Sequence, residues 1–246
     1  MAESVVVSRA DTLTRWIDRL LIGIARHWLA LFLFFYGIFV TLPWLAPVLM
    51  HAGNEPAGRL IQTLYSVVCH QYPERSYFLY GPQVTYSIQQ IEAVWPYYDN
   101  IARWRLFVGT PEMGWKLAWS DRMVSMYTSV WVGAFVFLFL RRRLRPLPVR
   151  TYLLLALPML LDGGTHMIND LLGLGFRQDN AWLAWLTGHI FPATFYAGDA
   201  LGSFNSWMRL ITGTLFGLST VWFAFPFVEQ AFREVKHDLA RPSVRM

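Results

Sequence analysis

The sequence predicts an all-α integral membrane protein with about four transmembrane helices. Three observations carry that reading. Hydrophobic residues make up 55% of the chain and charged residues 15%, against roughly 25% charged in an ordinary soluble domain. Three apolar runs, 28–50, 119–140 and 207–228, each approach the ~20 residues needed to cross a hydrocarbon core. Lys and Arg gather in alternate connecting segments, as they do across a bilayer.

The elements follow in order. Within 1–27, Leu13, Trp16, Ile17, Leu20, Leu21 and Ile24 recur at helical spacing, with Arg15, Asp18, Arg19 and Arg26 elsewhere on the wheel. This predicts an N-terminal amphipathic helix lying on the inner, cytoplasmic membrane surface, although docking on a partner subunit gives the same pattern. The stretch is too long and too amphipathic for a cleaved secretory signal. After the span 28–50 comes an outer loop, 51–118, which begins with a helix over 57–70. It continues as SYFLYGPQVTYSI, read as a β-hairpin turning at Gly81-Pro82. The aromatic residues that follow, among them Trp95, Tyr97, Tyr98 and Trp104, carry one polar atom each and predict a lid on the outer leaflet.

The span 119–140 runs into RRRLRP (141–146), an inner-face stop signal that also suits anionic lipid head groups. The next span, 149–168, exists only if Asp162 and His166 are accepted inside it. In the outer loop 169–206, the run Ala181–Tyr196 is too short, and too interrupted by Gly188 and Pro192, to cross. It is read as interfacial or re-entrant. The span 207–228 leads to a cytoplasmic tail, 229–246. No internal repeat is visible, so 28–228 reads as a single membrane domain. Segments assigned to the inside hold thirteen of the 21 Lys and Arg, which places both termini in the cytoplasm and requires 149–168 as a real crossing. The net charge of +5 therefore follows from topology and gives no reason to invoke nucleic acid.

Asp162 carries the strongest functional signal, because an acid within a span costs about 2.5–3.5 kcal/mol on insertion scales. It lies about 18 Å along the helix from Arg150, and His166 about 24 Å. Both are thus inside a core of about 30 Å and on one helical face. Gly163 and Gly164 thin the helix beside them. Arg122 and Arg209 begin two other spans at the same outer level, with Asp121 and Asn205 nearby. They could serve as forks for carboxylate or phosphate, snorkel to the interface, or pair structurally with Asp162. The only cysteine, Cys69, sits beside His70 and near Arg75-Ser76. Lacking an intrachain partner, it is a free thiol, a ligand or half of an intermolecular link. Cys69 could act as a nucleophile beside His70, or Cys69, His70, Asp162 and His166 could hold a divalent metal such as zinc. A packing thiol with a capping histidine is the structural alternative. No phosphate-cradling glycine loop, HExxH pair or CxxC pair is present.

Four blocks resemble a bacterial family of membrane proteins known as domain of unknown function 2085. They are Cys69-His70-Gln71 with Pro73-Glu74-Arg75-Ser76, the Arg122…Tyr127 helix start, Asp162-Gly163, and Arg209…Thr212-Gly213. The resemblance implies that the blocks form one outer-face site in a bacterial cytoplasmic (inner) membrane; it brings no activity. Two departures stand out. This chain reads Ser120-Asp121-Arg122-Met123 where the family commonly has Cys-x-Arg-Cys, and His166 stands where glutamine is frequent.

The leading functional expectation is a polar site opening to the outer face and acting on a lipid or lipid-linked anionic substrate. Asp162, His166, Cys69 and His70 would be the catalytic or metal-binding groups, and Arg75, Ser76, Arg122 and Arg209 would hold the substrate. The rivals are an accessory subunit of a larger electron-transfer, pigment or quinone-associated membrane complex, and a small-solute transporter.

Overall fold

The computed structural model describes residues 9–240. Residues 1–8 of the expected amphipathic segment, and Arg241 and Arg245 of the tail, lie outside the described residues. The chain is mostly helical. Among the described residues, three helical stretches are long and apolar enough to cross a membrane: Leu13–His51, Asp121–Leu140 and Phe204–Leu239.

The first helix, α1 (Arg9–His51), is a continuous 43-residue element. The expected separation between an amphipathic helix over 1–27 and a span starting at 28 is absent. Between Leu13 and Thr41 the only weak helix former of the Gly or Pro kind is Gly23 or Gly37, taken singly, and neither stops the ladder. The prolines, Pro43 and Pro47, fall near the outer end. There the chain doubles back into α2 (Glu55–Tyr65), capped by the Asn54 side chain, with Pro56 in the first turn. A Cβ on Gly58 would lie 2.5 Å from Met50 Cγ, so glycine allows α2 to close on α1.

The chain next forms a three-stranded antiparallel sheet of β1 (Ser76–Leu79), β2 (Gly109–Thr110) and β3 (Gly114–Ser120), in the order β1-β3-β2. Here the expected hairpin is corrected. The chain does turn at Gly81-Pro82, and Phe78 N–H reaches Val84 O at 2.8 Å. Yet β1 pairs along its length with β3, Phe78 opposite Lys116 and Leu79 opposite Trp115. The return strand is pre-empted because Ser87 and Gln90 form a capping box that commits the next residues to α3 (Ile88–Glu92). The short helix α4 (Ile101–Trp104) completes the lid. Its core is Phe78, Tyr86, Ile91, Trp104, Phe107 and Met113.

β3 runs directly into α5 (Asp121–Leu140), which ends at the arginine-rich turn. Next come α6 (Val149–Leu172), closed by Gly173 in the left-handed conformation, and three short helices, α7 (Phe176–Asp179), α8 (Ala181–Leu186) and α9 (Ala193–Tyr196). The last helix, α10 (Phe204–Ala240), is the axis of the bundle: α5, α6 and α1 all pack on it. α5 and α10 approach through small residues. A Cβ on Gly213 would meet Ser125 Oγ at 2.2 Å, and one on Gly217 would meet Ser129 Oγ at 2.0 Å. Without such residues two helices cannot bring their backbones this close. At the other end Trp28, Phe137 and Phe225 pack tilted and edge-to-face, and Trp28 Nε1 donates to Glu229 at 2.9 Å. α6 lies on α10 through Tyr152 against Phe223, with ring centroids 4.6 Å apart. Among the described residues its one hydrogen bond to α5 is Arg122 to Asp162.

Candidate functional site

The N-terminal ends of α5 and α10 and the C-terminal end of α6 come together and bring charges that are costly to bury unpaired. The sequence meets this with a network of four arginines and four aspartates. Asp162 accepts from Arg122 Nη2 at 2.7 Å and from Arg177 Nη2 at 2.5 Å. Arg209 places Nε on both oxygens of Asp121, at 2.8 and 2.9 Å, and Nη1 on Asp199. Arg75 forms a two-bond fork with Asp170, at 2.7 and 3.0 Å, and reaches Asp199 at 3.1 Å. Most of these groups are nearly inaccessible; Asp121, Asp162 and Arg209 are each at most 4% exposed. Fork-to-carboxylate pairing is what makes such burial tolerable.

Local structure explains how α7 and the loop around Asp199 join in. Asn180 takes the left-handed conformation and donates to Tyr196 O at 2.7 Å. Asn205, at the start of α10, donates to Gly198 O at 3.0 Å and to Arg177 O. Asn169 accepts from Arg177 N–H at 3.1 Å. These amides aim Arg177 and Asp199 inward from a loop with no helical periodicity. Burial pushes the Asp199 carboxyl up, but the adjacent Arg75 and Arg209 outweigh it and hold it below the usual carboxylate range.

His166 Nε2 lies 2.8 Å from Arg177 Nη2. A guanidinium can only donate, so Nε2 is the acceptor, and the neutral imidazole carries its proton on Nδ1. That Nδ1 is buried and has no hydrogen-bond partner among the described residues; the same holds for Arg122 Nε. Both residues line a cavity of about 260 Å³ between the N-terminal end of α5 and the C-terminal end of α6. Cys69, His70, Arg75 and Arg209 also line it, and Met167 and Leu171, both exposed, supply its rim on α6.

The sequence-predicted residues therefore meet, with changes of role. Asp162 pairs with Arg122 but not with Arg209, and its second partner is Arg177. Its oxygens are already taken by guanidinium groups. The expected metal set of Cys69, His70, Asp162 and His166 is corrected: among the described residues no group of three or more His, Cys, Asp or Glu could hold a metal ion. Cys69 Sγ instead accepts from the backbone N–H groups of Gln71 and Ser120, at 3.3 and 3.4 Å. His70 is exposed and packs on Tyr72. Ser76, expected to bind substrate, donates its hydroxyl to Tyr72 O at 2.8 Å.

Sequence reasoning missed Arg177, Asp170, Asp199 and the platform beneath Cys69. The usable signal was a handful of charges in outer loops that are otherwise aromatic and apolar. Gln71, in the left-handed conformation, donates from its side chain to Gln62 O and Ala118 O at 2.8 and 2.9 Å. Lys116, fully buried, donates to Gln71 O at 2.7 Å and Arg105 O at 3.0 Å. Burial lowers its pKa to about 7, against the opposing influence of Cys69 and Glu74.

Fold and site together define a helical membrane protein whose span ends enclose a polar, charge-balanced cavity. Residues 112–197 match the family described as predicted membrane protein (DUF2085), which bears out the resemblance read from the sequence. The matched stretch carries Asp121, Arg122, Asp162, His166, Asp170 and Arg177. The chain is also similar to an uncharacterized protein of Methanocaldococcus jannaschii, 27% identical over 168 residues, covering 65% of this chain and 83% of the relative. That relative is archaeal, whereas the sequence pointed to a bacterial membrane. No solved structure matches.

Proposed function

We propose that the cavity binds the anionic head group of a membrane lipid or lipid-linked molecule at the outer leaflet. The carrying observation is the pair of buried donors without partners, His166 Nδ1 and Arg122 Nε, on two residues that line a cavity with an apolar rim. Phosphate and carboxylate oxygens are the acceptors that such donors satisfy best. The reading takes α6 as a fourth crossing. At 24 residues it is about 36 Å long, and its Leu153, Leu154, Leu160 and Leu161 face outward. With four spans, the arginine-rich 141–145 turn and both termini lie on the cytoplasmic side of a cytoplasmic membrane. In this reading His166 is a hydrogen-bond donor to the head group, and Asp162 holds the two arginines in place.

Native mass spectrometry of the full chain in detergent, titrated with phosphatidylglycerol, tests the proposal. The wild-type chain retains the lipid, and His166→Ala lowers the affinity roughly tenfold or more, the equivalent of one hydrogen bond to a charged group. Equal retention by wild type and His166→Ala, with the variant folded, overturns it.

A further inference from the structure

A second cavity, about 240 Å³, adjoins the first. Tyr72, Arg75 and Asp170 line both, so the two-bond Arg75–Asp170 pair is the partition between them. The two sides carry opposite signs. The first presents Arg122, Arg209 and the His166 donor. The second presents the carboxylates of Glu74, Asp99 and Asp199 beside the rings of Tyr98 and Trp104, with Arg75 the only cation among its lining residues. Glu74 is 4% exposed and underpaired: Trp104 Nε1 reaches one oxygen at 2.8 Å, while its closest approach to Arg75 is 3.9 Å, beyond hydrogen-bond reach.

Building on the head-group reading above, we infer that the ligand is zwitterionic: its phosphate sits beside His166 and Arg122, and its primary ammonium sits across the partition beside Asp170 and Glu74. A salt bridge is a barrier that a zwitterion can replace without loss. Its anion takes the place of Asp170 at Arg75, its cation takes the place of Arg75 at Asp170, and no buried charge is stranded. An anion alone would draw Arg75 away and leave the Asp170 carboxylate unpaired in a confined site, which is costly and so discriminates against it. Tyr72, whose ring already has Arg75 over it, and Tyr98 line this side, and such rings favour a cation. A primary amine fits better than a quaternary one, because Glu74 and Asp170 can accept its N–H bonds. The ligand class is thus a phosphoethanolamine-type lipid.

The test compares phosphatidylethanolamine and phosphatidylglycerol with identical acyl chains, titrated into the wild-type chain in detergent and read by native mass spectrometry. Phosphatidylethanolamine binds at least about tenfold more tightly, the equivalent of one added charged pair. Asp170→Asn removes that preference. Glu74→Gln narrows the preference in the same direction and serves if Asp170→Asn does not fold. Equal or tighter binding of phosphatidylglycerol by the wild type overturns the zwitterion inference alone. Failure to retain either lipid overturns the head-group reading with it.

Discussion

Replacing Asp162 by Asn should destabilise the protein far more than loss of one surface ion pair. Asp162 is 4% exposed, and its two oxygens hold Arg122 and Arg177. Among the described residues Arg122 has no other side-chain partner, while Arg177 keeps His166. Breaking a buried pair by removing one partner costs about 3–5 kcal/mol, because the remaining charge stays desolvated. For a chain of this length each kcal/mol moves the unfolding midpoint by about 2–4 °C, so the expected drop is roughly 6–20 °C. Cys69 is the only cysteine and is buried, so a thiol-reactive dye reports unfolding in detergent directly. The double variant Asp162→Asn/Arg122→Gln removes a positive charge along with the negative one and should recover a third or more of the loss. A single-variant drop below about 2 °C, or a double variant at the sum of the two singles, would refute the network as a coupled unit.

Gly217→Leu should cost at least about 1–3 kcal/mol by overpacking, since even a Cβ there would lie 2.0 Å from Ser129 Oγ, and the same dye assay reads it. Unchanged stability would mean that α5 and α10 do not meet as described. Lys116 gives a pH signature: burial lowers its pKa to about 7 in the folded chain, so between about 7 and 10.5 the unfolded chain binds more protons and stability rises with pH. Lys116→Met should lack that rise, and parallel pH curves for variant and wild type would exclude it. Asp199 works in the opposite region. Its lowered pKa adds stability at neutral pH that is lost as pH falls below the ordinary carboxylate range, so Asp199→Asn should be less sensitive to acid than wild type.

The apolar runs were legible in the sequence because the bilayer imposes them one segment at a time. Length, hydropathy and the 3.6-residue period suffice, and the Arg122–Asp162 pair follows from two charges at one level. The hairpin was misread because strand pairing is decided between segments. β1 meets a strand more than thirty residues onward, and the competing local signal, the Ser87–Gln90 capping box, settled the matter. Arg177 and Asp199 escaped for a related reason. Their positions depend on left-handed turns at Asn180 and Gly198 and on amide bonds from Asn205, none of which leaves a periodic trace. The serine and glycine stripe was readable: Ser125 and Ser129 on one helix, Gly213 and Gly217 on the other, each four apart.

The balance of charges decides what kind of ligand the site can discriminate. Each of Arg75, Arg122, Arg177 and Arg209 already faces an aspartate, so positive residues near the span ends do not by themselves make an anion trap. Removing an arginine therefore strands a carboxylate and chiefly reports stability. On the proposed reading, recognition falls instead to cavity-lining groups that the network leaves unpaired, His166 Nδ1 and Arg122 Nε on one side and the loosely held Glu74 on the other. Substitution of His166 or Glu74 should thus shift lipid affinity with little change in midpoint, whereas substitution of Asp162 or Arg209 should shift the midpoint first. If all four shifted both in proportion, binding and folding would be one equilibrium and the cavity would have no separate role.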